Sequence, residues 1–176
     1  MRPFPLHVRY VLVNMPMSNS RNRDFTGGCQ CGAVRYRVTG RLGNAGICHC
    51  RMCQKAFGNF GAALVSVPVT NLVWTRGQPS VFRSSPIVAR GFCAACGTPL
   101  YMREDSDPNY EIAIGSLDDP NAIGAMTGQA GIESKVPWFD GMAALPAQRT
   151  EDSRPPEDLA KLMSLQHPDH DTEHWP

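Results

Sequence analysis

The chain has 176 residues, a length that suits one domain with a hydrophobic core that does not depend on metals for its existence. Its 17 lysine and arginine residues are balanced by 16 acidic residues, so it lacks the broad positive field that nucleic-acid binding requires. No apolar run is long enough for a membrane span or a signal sequence. We therefore expect neither nucleic acid nor a membrane as a partner.

The cysteine content indicates the compartment. The chain holds seven cysteines, and they stand in C-x-C and C-x-x-C arrangements. An odd number in such spacing argues against a secreted disulfide scaffold and favours a reducing compartment, where thiolates stay available for a metal. We therefore predict a cytoplasmic protein.

The chain begins with a segment of low structural content. Residues 1–24 are rich in Pro, Asn, Ser and Arg, which predicts a flexible leader. The first cysteine pair, Cys29 and Cys31, follows among glycines that allow a tight turn. Residues 33–39 then alternate apolar side chains with arginines, which predicts a strand with one buried face. We interpret it as an edge strand whose arginines are solvated.

The densest cysteine motif reads Cys-His-Cys-Arg-Met-Cys over residues 48–53. Three sulfurs at this spacing can converge on one metal ion without closing a long loop, and thiolates so close together repel one another without a cation. Catalytic zinc sites have three protein ligands and leave one position for water or substrate, whereas structural sites have four. We therefore predict an open zinc site on Cys48, Cys50 and Cys53, which we call the triplet.

Short segments separated by turns follow the triplet. One helical turn is predicted over residues 51–57, ending at Gly58. Strands are predicted at 60–67, 72–75, 81–84, 87–92, 100–103 and 110–114, and a last ordered stretch at 132–139. No segment before residue 100 has the length and periodicity of a long helix. The predicted fold class is therefore mainly β.

The four remaining cysteines form two pairs, Cys29 with Cys31 and Cys93 with Cys96. Together they would fill one closed four-cysteine zinc site, and joining them closes a long loop that contains the triplet. In the alternative, a mixed partition, one cysteine of a pair joins the triplet. That partition leaves a lone thiol and an incomplete second site.

The composition changes near residue 146 to Pro, Glu, Asp, Arg and His. We predict that residues 147–176 form a mostly disordered tail, interrupted by a short helix over 156–165 with an apolar face. The folded domain is then predicted to span residues 25–146.

Three segments resemble a known family. They read Gly-Cys-Gln-Cys-Gly-Ala-Val-Arg-Tyr at 28–36, Cys-His-Cys-Arg-Met-Cys-Gln-Lys at 48–55, and Arg-Gly-Phe-Cys-Ala-Ala-Cys-Gly-Thr-Pro-Leu at 90–100. Their order and spacing resemble the glutathione-dependent formaldehyde-activating enzyme family, which shares its domain with a centromere-associated protein of animals. Secondary matches at 114–120 and 133–139 extend the resemblance over roughly residues 25–146.

The resemblance implies a β-tent fold, in which short antiparallel strands form two small sheets joined by zinc-binding cysteine motifs. It also implies two zinc ions per chain, one structural and one catalytic, which matches the division expected from the spacing. The structural zinc would be held by Cys29, Cys31, Cys93 and Cys96, and the catalytic zinc by Cys48, Cys50 and Cys53.

The activity implied by the resemblance is that of a zinc-dependent carbon–sulfur lyase. Such an enzyme adds the thiol of glutathione, or a similar thiol, to formaldehyde or a related aldehyde, or catalyses the reverse. The expected partners are small-molecule thiols and aldehydes, and a homo-oligomer is left open. The alternative is a non-catalytic zinc module that mediates an interaction or carries a thiol. A third interpretation, redox sensing by the triplet, needs reactive thiols that zinc would mask.

Several neighbouring residues have two interpretations each. His49 lies between two ligands, but alternate residues of an extended segment face opposite ways, so we assign it a supporting or packing role. Arg51 and Lys55 either offset thiolate charge or are ordinary surface cations. Trp138 and Phe139 either line the substrate pocket or cover the core.

Overall fold

The computed structural model describes residues 24–174, so the predicted leader lies outside the described residues except for Asp24. The described part contains ten β-strands, two short α-helices and several 3-10 turns. In chain order the strands and helices are β1 (Phe25–Gly28), β2 (Arg35–Val38), β3 (Ala45–Cys48), α1 (Arg51–Phe57), β4 (Ala62–Pro68), β5 (Leu72–Arg76), β6 (Ser80–Arg83), β7 (Val88–Phe92), β8 (Pro99–Glu104), β9 (Asn109–Ala113), β10 (Gly128–Ala130) and α2 (Pro156–Leu159).

The strands form two sheets. The first sheet has three strands in the order β1-β2-β5, and the second has seven in the order β10-β3-β4-β9-β8-β7-β6. The strands within the first sheet pair antiparallel, as do those of the second from β3 to β6, whereas β10 pairs with β3 in parallel. The predicted fold class, mainly β with short antiparallel strands and cysteine motifs between them, is confirmed.

The main core lies between the two sheets, because each sheet contributes fully buried side chains to it. Tyr36 and Val38 come from β2 of the first sheet, while Val65, Leu100 and Ile112 come from three strands of the second. All five are 0% exposed. Burying an aliphatic side chain of this size contributes about 1.5–3 kcal/mol, so this layer holds the sheets together.

Helix α1 forms where the sequence predicts it. It begins after Cys50, whose sulfur accepts a hydrogen bond from the Cys53 backbone N–H at 3.4 Å, and it ends at Phe57. Gly58 follows in the left-handed conformation with φ of 58°, which a glycine adopts without steric cost. The predicted bounds and the predicted terminator are both confirmed.

Strand β2 differs from its prediction. It is the central strand of the first sheet, so the interpretation as an edge strand is wrong. Arg35 is buried and not solvated, whereas Arg37 is exposed as predicted. The Arg35 guanidinium donates to Asp118 Oδ1 at 2.8 Å and to Asp118 Oδ2 at 2.5 Å. Its partner follows β9, far along the chain, so the local alternation of residues carries no sign of it.

The C-terminal segment lies against the first sheet. The predicted helix over 156–165 is shorter in the structure, where α2 is followed by a 3-10 turn over Ala160–Leu162. Further along, the His167 backbone N–H donates to Gln30 O at 2.9 Å, and Asp171 pairs with Arg35 and Arg37. The boundaries of the domain and the tail stay a prediction. Within residues 24–174, no helix is long and apolar enough to cross a membrane.

Candidate metal centre

The structure brings the seven cysteines together in two groups. In each group the sulfur atoms all lie within 4.8 Å of one another, and all seven thiols are free. The first group, the four-cysteine cluster, consists of Cys29, Cys31, Cys93 and Cys96, and the second is the triplet of Cys48, Cys50 and Cys53.

The four-cysteine cluster joins the two sheets. Cys29 and Cys31 lie in the turn between β1 and β2 of the first sheet, whereas Cys93 and Cys96 lie between β7 and β8 of the second. The Cys31 sulfur lies 3.6 Å from that of Cys29 and 3.8 Å from that of Cys93. Tetrahedral Zn–S bonds of about 2.3 Å place two sulfurs about 3.8 Å apart. The spacing and the donor chemistry therefore fit a tetrahedral metal ion.

The protonation of this cluster also fits a cation. Burial raises the pKa of Cys29 to about 12, although the Val34 backbone N–H donates to its sulfur at 3.2 Å. Burial acts in the same direction on Cys96, but hydrogen bonds from the Thr98 side chain and backbone lower the pKa of that thiol to about 6. Four crowded thiols cannot all lose their protons unless a positive charge replaces them. A metal ion would supply that charge.

The triplet is built by one strand-to-helix junction. Cys48 ends β3, Cys50 is the N-terminal cap of α1, and Cys53 lies in the first turn of the helix. Cys48 and Cys50 are alternate residues of an extended segment and face the same side, and the helical turn then brings Cys53 back to them. The C-x-C-x-x-C spacing therefore determines the geometry locally.

The triplet thiols shift one another's pKa in opposite directions. Hydrogen bonds with Cys48 and Cys53 lower the pKa of Cys50 to about 2, and the contacts with Cys50 and Cys53 raise the pKa of Cys48. Among residues 24–174, no histidine or carboxylate joins this group as a fourth possible ligand. The donor set fits a metal ion that has three protein ligands.

One cation lies beside the triplet. Arg90, on β7, is 6% exposed, and its Nη2 donates to the Cys53 sulfur at 3.5 Å. Its Nε donates to the Ser84 hydroxyl at 3.0 Å. Arg90 opens the third segment that resembles the family, but no local pattern predicts its contact with a cysteine 37 positions earlier in the chain.

His49 is fully buried and lies outside the cysteine group. Its Nε2 is 3.0 Å from Gln129 Oε1, and its ring meets that of Phe139 edge to face with the centroids 4.7 Å apart. The His49 backbone N–H also donates to Ala130 O at 2.8 Å, as part of the contact between β3 and β10. These contacts fix the segment that carries the triplet.

Gln54 connects the triplet helix to the segment after β10. The side chain is buried, and its Nε2 donates to His49 O at 2.6 Å and to Ser134 O at 2.9 Å. Arg51 donates in turn to Gln54 Oε1. Gln54 belongs to the second segment that resembles the family, but nothing in the sequence indicates its burial, since a glutamine in a short helix is usually a surface residue. Lys55 is exposed.

A group of aromatic rings packs on His49, the residue between Cys48 and Cys50. Phe60 lies 5.5 Å from Trp138 and 5.7 Å from Phe139, measured between ring centroids. Phe139 in turn contacts His49, while Trp138 is 58% exposed. Phe139 thus packs on the protein, whereas Trp138 offers an open apolar face to solvent. A small organic molecule could stack on that face.

A cavity lies at the four-cysteine cluster. It has a volume of about 410 Å³ and is polar. Its lining includes Arg35, Cys96, Thr98, Asp118 and His167. Arg35 and Asp118 form an ion pair within this lining, and Asp169 adds a further carboxylate.

Two comparisons with known proteins gave a match. A model of the glutathione-dependent formaldehyde-activating enzyme family matches residues 24–129, which is more than half of the chain. A crystal structure of a Rhodobacter sphaeroides protein, from a structural genomics project, is 24% identical to the chain. The match covers 57% of this chain and 96% of the other, with a TM-score of 0.47.

Proposed function

The chain belongs to the glutathione-dependent formaldehyde-activating enzyme family, and from that premise we propose that it is a zinc-dependent carbon–sulfur lyase. Its substrates would be glutathione or a similar thiol and formaldehyde or a related aldehyde. The observation that carries this proposal is the triplet, where three thiols converge and no fourth side chain among residues 24–174 completes the set. A site with three protein ligands is typical of catalytic zinc.

Each cysteine group has its own role in this proposal. The four-cysteine cluster would hold a structural zinc, because it supplies a complete tetrahedral set between the two sheets. Cys48, Cys50 and Cys53 would hold a second zinc as ligands, and none of them acts as a nucleophile. When bound there, zinc supplies positive charge that favours the ionised form of a substrate thiol and polarises an aldehyde oxygen.

The reaction needs no oxidant or reductant. The substrate sulfur loses its proton to solvent and forms a bond to the aldehyde carbon. The carbonyl π bond breaks, and its electron pair stays on the oxygen, which takes a proton from solvent. The reverse reaction breaks the carbon–sulfur bond and returns both protons. The protein therefore has to bring the two substrates together, orient them and limit access of water.

Residues around the triplet serve that positioning. Gln54 fixes the helix of the triplet to the Ser134 backbone, so the segment that carries Trp138 keeps a constant place relative to the cysteines. The exposed Trp138 ring offers apolar contact to a substrate. His49 holds β3 against β10 through Gln129, and its position is structural in this proposal.

The proposal is tested by metal content and turnover measured on the same protein. We expect two zinc ions per purified, reduced chain, and thiol-dependent consumption of formaldehyde. Cys50→Ser should retain one zinc and its folded structure by circular dichroism, and should lose at least about 100-fold in turnover. Met52→Ala changes an exposed neighbour in the same motif and serves as the control, with both zinc ions and full turnover.

Other outcomes would contradict the enzyme. Two zinc ions with no turnover for any thiol and aldehyde pair would favour the non-catalytic zinc module. One zinc per wild-type chain, or turnover unchanged in Cys50→Ser, would remove the triplet from the reaction.

A further inference from the structure

Arg90 is a buried cation without a carboxylate partner. Its side chain is 6% exposed, and among the described residues it forms no ion pair with an aspartate or glutamate. Its hydrogen bonds go to the Cys53 sulfur and to the uncharged Ser84 hydroxyl. A third nitrogen, Nη1, is buried and has no hydrogen-bond partner. Burying an uncompensated charge is costly, so an anion beside Arg90 is expected.

The triplet provides that anion. Three thiolates carry three negative charges and one divalent metal ion carries two positive charges, so the occupied site has one negative charge left over. Cys53, which accepts the hydrogen bond from Arg90, is itself buried at 1% exposure. The single positive charge of Arg90 cancels the single negative charge of the occupied site. An arginine remains charged under all conditions a protein meets, so this compensation is permanent.

The position of Arg90 is fixed from both sides. Its strand, β7, lies between β6 and β8, where Arg90 pairs with Phe82 on one side and Met102 on the other. Met102 packs against the small core cluster formed by Cys53, Ala62 and Leu64. The sheet thus holds the Arg90 backbone, and the Ser84 hydroxyl holds its Nε. Little of this side chain has to become ordered when a metal binds.

We propose that Arg90 is the positioning residue of the triplet, which compensates the charge of the occupied metal site through Cys53 and thereby sets the affinity of that site for metal. This inference rests on the metal-binding role of the triplet in the proposed function, and it extends that role to a residue on another strand. Arg90 acts through Cys53 and is not itself a metal ligand. The four-cysteine cluster should not depend on Arg90, because the side-chain hydrogen bonds of Arg90 go to Cys53 and Ser84.

The test is a cobalt titration of the full-length protein at one fixed pH, in which the sulfur-to-cobalt absorption bands are followed in competition with a chelator. Arg90→Met removes the charge without leaving a new buried polar group. We expect it to weaken Co²⁺ binding at the triplet about ten- to a hundredfold and to leave the four-cysteine cluster unchanged. Arg90→Lys keeps the charge and should bring the affinity back to within about threefold of wild type.

Two further variants complete the test. Ser84→Ala removes the acceptor that orients the Arg90 Nε and should weaken cobalt binding at the triplet about two- to fivefold, even if Arg90→Met does not fold. Arg83→Met is the matched control, since Arg83 lies on the neighbouring strand and pairs with Asp105 at the surface. It should bind cobalt like the wild type.

Three results would overturn the inference. The first is an unchanged triplet affinity in folded Arg90→Met, or in Ser84→Ala if the former does not fold. The second is a loss in Arg90→Lys as large as in Arg90→Met. The third is a wild-type triplet that takes up no cobalt, which contradicts the proposed function as well. If the cobalt affinities change as expected while turnover is absent, the inference stands and the enzyme proposal fails.

Discussion

Around the four-cysteine cluster the buried arginine is Arg35, which pairs with the carboxylate of Asp118, whereas beside the triplet it is Arg90, which pairs only with a sulfur and a hydroxyl. Arg35, which also pairs with Asp171, therefore has carboxylate partners that do not depend on a metal. The second region holds a positive charge that matches the negative charge of an occupied three-cysteine site. Cysteine ligands therefore occur beside two kinds of buried arginine. Arg35 is already paired with a carboxylate, whereas Arg90 is paired with an anion only when the triplet thiols are ionised.

The two clusters also differ in what they connect. The four-cysteine cluster bridges the first and second sheets, while the triplet lies within one strand-to-helix junction of the second sheet. Loss of the former should therefore affect the whole fold, and loss of the latter should stay local. Substitutions in each region test that difference.

Replacing Cys93 by Ser should have the largest effect. The substitution removes a ligand between the sheets, and the free energy of binding a structural zinc is of the same order as the stability of a whole domain, about 5–15 kcal/mol. We expect the variant to be largely unfolded by circular dichroism at a temperature where Cys50→Ser retains a cooperative thermal transition. Equal losses of stability in the two variants would show that the two clusters contribute equally to the stability of the fold.

Replacing Asp118 by Asn should destabilise the framework without affecting the triplet. The side chains of Arg35 and Asp118 are only 4% and 10% exposed, and removing one charge of such a pair costs about 3 kcal/mol. Urea denaturation would measure the loss, and the triplet should keep its cobalt affinity.

Asp105→Asn is the matched control for this prediction. The ion pair of Asp105 with Arg83 is about half exposed, so its loss should cost less than about 1 kcal/mol. A lower cobalt affinity of the triplet in Asp118→Asn would show that the two regions are coupled.

Replacing Gly131 by Ala should have a smaller effect, confined to the triplet. Gly131 has a φ of 62°, and a Cβ there would lie 2.6 Å from the Cys50 backbone nitrogen. Gly124 has a similar φ of 73°, but a Cβ there meets nothing within 4 Å. Gly131 is left-handed and Gly124 lies in a different positive-φ region, so each substitution strains the backbone and should cost about 1–3 kcal/mol of stability. Only Gly131→Ala should also weaken cobalt binding at the triplet. Identical cobalt affinities in the two variants would show that the contact of Gly131 with Cys50 does not influence metal binding at the triplet.

The sequence predicts best what local spacing determines. The grouping of nearby cysteines and the bounds of α1 follow from residues within one or two turns of each other, and so does its termination at Gly58. Most strands were also expected near their observed positions, because apolar runs between turn residues mark them. The ligand roles of the seven cysteines, and zinc as the metal, stay predictions.

The sequence does not show which distant residues meet. The alternation of residues around Arg35 predicts a solvated side chain, although Asp118 lies beside it. No residue near Arg90 in the chain indicates its contact with Cys53. Strand β10 was missed because three residues, Gly-Gln-Ala, are too few to show any periodicity. Each of these features depends on a pairing across the fold, which composition and spacing along the chain do not encode.

The nesting of the triplet between Cys31 and Cys93 has a consequence for biosynthesis. Cys53 leaves the ribosome 40 residues ahead of Cys93, and at about 5–20 residues per second this interval lasts a few seconds. During that time the nascent polypeptide displays all three triplet thiols but only two of the other four. The cell's metal supply therefore encounters the triplet as a finished ligand set first, and the four-cysteine cluster only when translation of the second sheet is well advanced.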